Sequence, residues 1–99
     1  LDMETSRLTM FYGDTCPFCR LIMPALARFE RETGVVIERL EVWSNPVNAE
    51  KMEALRHLYD EHCGGNMVIP SFYDANTGRL LCNPGSYEEL KAWYGGEHG

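Results

Sequence analysis

The sequence predicts an α/β fold of order β-α-β-α-β-β-α, with four strands in one mixed sheet and helices on both of its faces. Three observations predict it. The apolar run Leu8–Tyr12, a tight turn and an amphipathic stretch lead by a short link into a second β-rich run, residues 35–43. Strand, helix and strand so joined form a unit whose strands are parallel, with a right-handed crossover. Further on, two short apolar runs flank residues 74–78, Asp-Ala-Asn-Thr-Gly, which reads as an antiparallel hairpin before a last, well-capped helix.

Taken in order, Leu8-Thr-Met-Phe-Tyr12 has the apolar, aromatic-rich composition of a buried central strand. Gly13-Asp14-Thr15 is turn chemistry, and Pro17 suits a first helical position, where its missing N–H costs nothing. Phe18, Leu21, Ile22, Ala25, Leu26 and Phe29 then recur at helical spacing and predict one broad apolar face. Pro24 deletes a backbone hydrogen bond inside this helix and predicts a bend, and Gly34 predicts its end. After the strand at 35–43, Asn45-Pro46 offers a cap followed by proline. A single second helix follows, with Val47, Met52, Leu55, Leu58 and Tyr59 on its inner face, ending at Cys63-Gly64-Gly65. His57, His62 and Cys63 point in separate directions on such a helix, so they read as surface and helix-end residues, not a metal site. Ser71-Phe72-Tyr73 and Arg79-Leu-Leu-Cys82 are the hairpin strands, and Asn83-Pro84-Gly85 breaks the second. Ser86-Tyr87-Glu88-Glu89 is a capping box opening a helix with Leu90, Trp93 and Tyr94 inward, beyond which residues 95–99 fray.

Ninety-nine residues suit a single domain, 1–99, with an ordered core over about 7–94. A formal net charge of −6 argues against nucleic acid as a partner, which needs clustered Lys and Arg. No apolar run approaches the roughly 18 residues a membrane span requires, and no secretory pattern opens the chain, so a cytoplasmic monomer is expected. In that compartment a Cys-x-x-Cys pair is catalytic or metal-binding more often than a structural staple.

Cys16-Pro17-Phe18-Cys19 falls where strand meets helix. There the unpaired N–H groups and positive dipole end of a helix favour an anion, so a Cys16 thiolate is stabilised below the free-thiol pKa of about 8.5. Cys19, one turn on, can attack a mixed disulfide formed on Cys16. A zinc site would need a second closely spaced pair, and Cys63 and Cys82 do not supply one. Cys82 reads as a buried free thiol, and Cys63, beside two glycines, as an exposed thiol prone to oxidation.

The element order, the Cys-x-x-Cys after the first strand and Ile69-Pro70 before the third resemble the thioredoxin superfamily over most of the chain. Cys16-Pro17-Phe18-Cys19 is similar to the glutaredoxin motif, and Pro24 matches the helix proline of thioredoxins. The resemblance implies Cys16 as nucleophile, Cys19 as resolving thiol, and a cis Ile69–Pro70 bond whose backbone pairs with an extended substrate. It places Thr15, Pro17, Phe18, Ile69, Pro70 and Gly85 against substrate, with Arg20 able to meet a glutathione carboxylate. Departures are Met10, where thioredoxins hold a buried acid, and Asp14, near where glutaredoxins carry a basic residue. The expectation is a dithiol–disulfide oxidoreductase acting on protein disulfides, with no bound cofactor or metal. Its electrons come from a reductase or from glutathione as co-substrate. The alternative is a binding or redox-sensing module with little turnover. A metal or cluster held between two chains through Cys16 ranks lower, because Pro17 removes an N–H that would serve a sulfur ligand.

Overall fold

The structure, a computed structural model, describes residues 8–98. Its strands are β1 (Leu8–Tyr12), β2 (Ile37–Glu41), β3 (Ser71–Asp74) and β4 (Arg79–Cys82). Its helices are α1 (Pro17–Thr33), α2 (Pro46–Glu53), α3 (Arg56–His62) and α4 (Tyr87–His98). The sheet order is β2-β1-β3-β4, with β1 parallel to β2 and antiparallel to β3, and β3 antiparallel to β4. This is a mixed α/β architecture of the minimal thioredoxin-like kind.

The alternation of β1 divides the core. Leu8 and Met10 point to one face, where Ile22, Leu26 and Phe29 of α1 meet Phe72 and Leu90, Trp93 of α4. Phe11 points to the other, against Met52, Leu58, Tyr59 and Leu80. Tyr87 clips α4 to α1: its hydroxyl donates to Glu32 and the Arg28 guanidinium lies 3.8 Å from its ring centroid. Gly34 ends α1 in the left-handed region, at φ 76°, and its N–H returns to the Glu30 carbonyl at 2.9 Å.

Four expectations are corrected. The buried stripe of α1 is Cys19, Ile22, Leu26 and Phe29; Phe18 and Leu21 lie off it and are exposed by 59% and 75%. β2 is shorter than residues 35–43: among the described residues it pairs with β1 from Leu8 opposite Ile37 to Tyr12 opposite Glu41, where β1 gives way to the turn at Gly13. The single helix expected after Asn45 is two, broken around Ala54 and Leu55. In one straight helix Leu58 would stand about 120° round from Met52; the break lets Met52, Leu58 and Tyr59 all reach the sheet, while Val47 stays exposed. Finally, α4 runs through Gly95 and Gly96 to His98, past the point where the sequence suggests fraying, so glycine's helix penalty of about 1 kcal/mol does not stop it there.

The largest correction concerns sulfur. Cys63 and Cys82 are joined as a disulfide, with Cα atoms 6.0 Å apart, well within bridging reach. Cys63 caps the C-terminus of α3, Cys82 is the last residue of β4, and α3 packs against β4. The pairing arises from tertiary packing across a separation of 19 residues, which leaves no mark on local spacing.

Candidate active site

Cys16 and Cys19 are free thiols at the start of α1. Cys16 is the N-cap residue: its backbone is extended, its N–H donates to the Gly13 carbonyl at 3.1 Å, and its carbonyl accepts from Arg20 N–H at 3.2 Å. Its Sγ takes the place of a capping oxygen, accepting the Cys19 N–H at 3.2 Å. A sulfur so placed faces the donor-rich end of a 17-residue helix. Pro17 fills the first helical position.

The two thiols differ. Burial, reinforced by a hydrogen bond to Cys16, pushes the Cys19 thiol up to about 12. Its surroundings explain the direction, since Cys19 sits in an apolar cluster with Met10, Ile22 and Phe72. Met10 is fully buried there, so no acid occupies the place under the motif. Near neutral pH, Cys19 therefore remains a thiol. Cys16 is 3% exposed and Cys19 1%, and Thr15, Pro17 and Phe18 form an exposed rim beside them.

The segment before β3 approaches from the side. The Ile69–Pro70 bond is cis. Phe11 stands opposite Ser71, which carries Pro70 alongside the end of β1, and Ile69 packs against the cluster that holds both motif cysteines. Pro70 O accepts Asn83 N–H at 2.7 Å. Gly85 is exposed, and its N–H is taken by the Glu89 carboxylate; Ser86 Oγ accepts Glu89 N–H at 3.2 Å. Arg20 is exposed and reaches Asp14 O at 3.4 Å.

Two supports were not visible in the sequence. The Glu41 carboxylate gathers three backbone N–H groups: Asp14 at 2.9 Å, Trp43 at 3.1 Å and Ser44 at 2.8 Å. These bonds, Ser44's foremost, hold its pKa below the usual carboxylate value and tie the loop before Cys16 to the loop after β2. Over the same loop lies the Trp43 indole, so close that a Cβ on Gly13 would come within 2.4 Å of a ring carbon. Under β3, the Tyr59 hydroxyl and Ser71 Oγ form a buried hydrogen bond of 2.6 Å. A polar residue at a strand end and a tyrosine on an inner helix face are too ordinary in sequence to announce either.

Among the described residues, no group of three or more His, Cys, Asp and Glu side chains is placed to hold a metal ion, and no helix is long and apolar enough to cross a membrane.

No protein-family model matches the chain. No curated protein matches it. Among solved structures it is similar to the Northeast Structural Genomics target protein XcR50 from X. campestris, with a TM-score of 0.56. The two share 24% identity over 90% of this chain and 96% of that one. The likeness is one of fold. Together with the Cys16–Cys19 pair at the head of α1, it is compatible with redox chemistry.

Proposed function

We propose that this chain is a thioredoxin-like dithiol–disulfide oxidoreductase that reduces disulfides in proteins. The observation that carries the reading is the asymmetry of the pair: Cys16 Sγ caps the helix and accepts an N–H, while burial pushes the Cys19 thiol up to about 12. A Cys16 thiolate attacks one sulfur of a substrate disulfide. The substrate S–S bond breaks, the departing thiolate takes up a proton, and a mixed disulfide forms on Cys16. Cys19 then loses its proton and attacks Cys16 Sγ, releasing the second substrate thiol and leaving a Cys16–Cys19 disulfide. Two electrons have passed to the substrate, and an external dithiol or glutathione resets the pair.

The rim favours polypeptide over glutathione as the substrate. Phe18 and Leu21 are exposed apolar groups on α1. Around the loop that leads to Cys16 stand the cation Arg20, whose guanidinium reaches Asp14 O, and the acids Asp14 and Glu41, the latter accepting Asp14 N–H. An anionic tripeptide would find one positive partner among two negative ones. A reducing compartment such as the cytoplasm suits a site that must be reset by thiols. The second reading, a redox-sensing module with little turnover, is favoured by the near-complete burial of Cys16.

Insulin reduction driven by a small dithiol separates the two. The enzyme turns over, Cys16→Ser abolishes turnover, and Cys19→Ser traps a mixed disulfide on Cys16. Faster alkylation of Cys19 than of Cys16, or a rate no higher than the dithiol alone, overturns the proposal.

A further inference from the structure

The Cys63–Cys82 disulfide lies across the sheet from the motif. Cys63 and Cys82 pack with Phe11, Met52, Tyr59 and Leu80, whereas Cys16 and Cys19 belong to the cluster on the opposite face. Burial also differs: Cys63 and Cys82 are partly buried, whereas the motif cysteines are buried.

What the crosslink holds is the segment that brings Ile69 and Pro70 to the motif. At the start of that segment, the Cys63 and Gly65 N–H groups both donate to Tyr59 O, at 2.9 and 3.0 Å, and Asn66 N–H reaches Cys63 O at 3.4 Å. Beyond these, Met67, Val68 and Ile69 make no backbone–backbone hydrogen bond among the described residues. At the far end, Asn83 N–H holds Pro70 O. Cys82 precedes Asn83 and pairs with Ser71. Cys82 at the end of β4 and Asn83 just after it thus hold the two ends of the segment, one by a covalent bond and one by a hydrogen bond.

We propose that Cys63–Cys82 is a second redox-active couple, opened by an exogenous dithiol, whose reduction releases residues 64–69 and loosens Ile69 beside the motif. A thiolate of the dithiol attacks one sulfur of the crosslink, the Cys63–Cys82 bond breaks, and the freed thiolate is protonated. The dithiol's second sulfur then attacks the mixed disulfide. The dithiol leaves oxidised, and two electrons and two protons have passed to Cys63 and Cys82. Neither half of this crosslink is fully buried, and solvent exposure makes a disulfide more labile to exchange. Cys16 and Cys19 are not the donor, because the sheet stands between the pairs. The consequence for turnover rests on the reductase reading above; the couple and its effect on the segment do not.

The test uses the whole chain. Folded protein is titrated with dithiothreitol, quenched by alkylation and mapped by mass, and amide exchange is followed in the oxidised and reduced forms. Expected is alkylation of Cys63 and Cys82 while the chain stays folded, with the hydrogen-bonded amides at the two ends of the segment, Gly65 and Asn66 at its start and Asn83 at its far end, exchanging about tenfold faster or more and those of residues 22–29 unchanged. Cys63→Ala/Cys82→Ala reproduces the fast exchange without dithiol; if that variant does not fold, the reduced natural chain carries the comparison. A crosslink that opens only on unfolding, or one that opens with exchange at Gly65, Asn66 and Asn83 unchanged, overturns the proposal. Failure of insulin reduction at a dithiothreitol level that leaves the crosslink closed would overturn the reductase reading and leave this result standing.

Discussion

Replacing Tyr59 by Phe tests whether the polar contact beneath the Pro70 segment holds the fold there. The change keeps the ring, which is fully buried, and removes only the hydroxyl that meets Ser71 Oγ at 2.6 Å. Ser71 is itself fully buried, so its hydroxyl loses this partner where water does not reach it. Stripping one member of a buried pair costs about 1–3 kcal/mol. For a chain of this size that corresponds to a fall in Tm of roughly 5–20 °C, read by circular dichroism. Tyr59→Phe/Ser71→Ala removes both partners and should cost less than the two single changes summed. The alkaline limb gives an independent check. Burial raises the Tyr59 phenol from 10.0 to about 12. The unfolded chain therefore releases this proton at lower pH than the native one. Stability from this group is intact below about pH 10 and falls as pH rises towards 12. Tyr59→Phe should flatten that slope. Strict additivity in the double variant, or an unchanged alkaline limb, would refute the reasoning.

Glu41 acts at the other end of the pH scale: its carboxyl is held low by backbone donors, so its contribution is present above the ordinary value of 4.5 and lost as pH falls through the lowered one. Glu41→Gln should reduce that acid-side loss and alter the rate of Cys16 alkylation, both followed across an acid titration. Gly13→Ala should displace the Trp43 indole, which is 56% exposed and free to swing, changing tryptophan emission with only a small loss of stability. Alkylation at pH 8 should label Cys16 well before Cys19, whose thiol is pushed up to about 12. Opening the Cys63–Cys82 crosslink, which spans a separation of 19 residues, should lower stability by about 3 kcal/mol on loop-closure grounds, measured by urea unfolding.

Where structure is set by neighbours in sequence, the chain announced it. β1, the Pro17 start and Gly34 end of α1, and both hairpin strands follow from local composition and turn chemistry. So did the placement of Cys16 at a helix terminus. What could not be read depends on partners distant in sequence. Val42 and Trp43 have strand-like side chains, yet β2 stops at Glu41, opposite Tyr12, where β1 ends in the turn at Gly13. Phe18 and Leu21 carry helical periodicity, but which side of an apolar stripe is covered depends on what lies over it. Glu41 looked like one acid among fifteen until two loops brought three N–H groups to it. Cys63 and Cys82 seemed to be unrelated thiols because only the docking of α3 on β4 brings them together.

The two-sided core has a bearing on how this chain reaches its oxidised forms. Four cysteines can be joined in three ways as two pairs. Two of those ways would cross-link a motif cysteine with Cys63 or Cys82, through a sheet in which β1 and β3 are paired from Leu8 opposite Asp74 to Phe11 opposite Ser71. Once that ladder has formed, miswiring requires its rupture; before it forms, nothing in the local sequence forbids it. Sheet assembly is therefore the sorting step, and oxidant supplied ahead of it should yield scrambled isomers that oxidant supplied after it does not. On the two proposals made above, each pair would thereafter switch without the other, giving the chain four oxidation states.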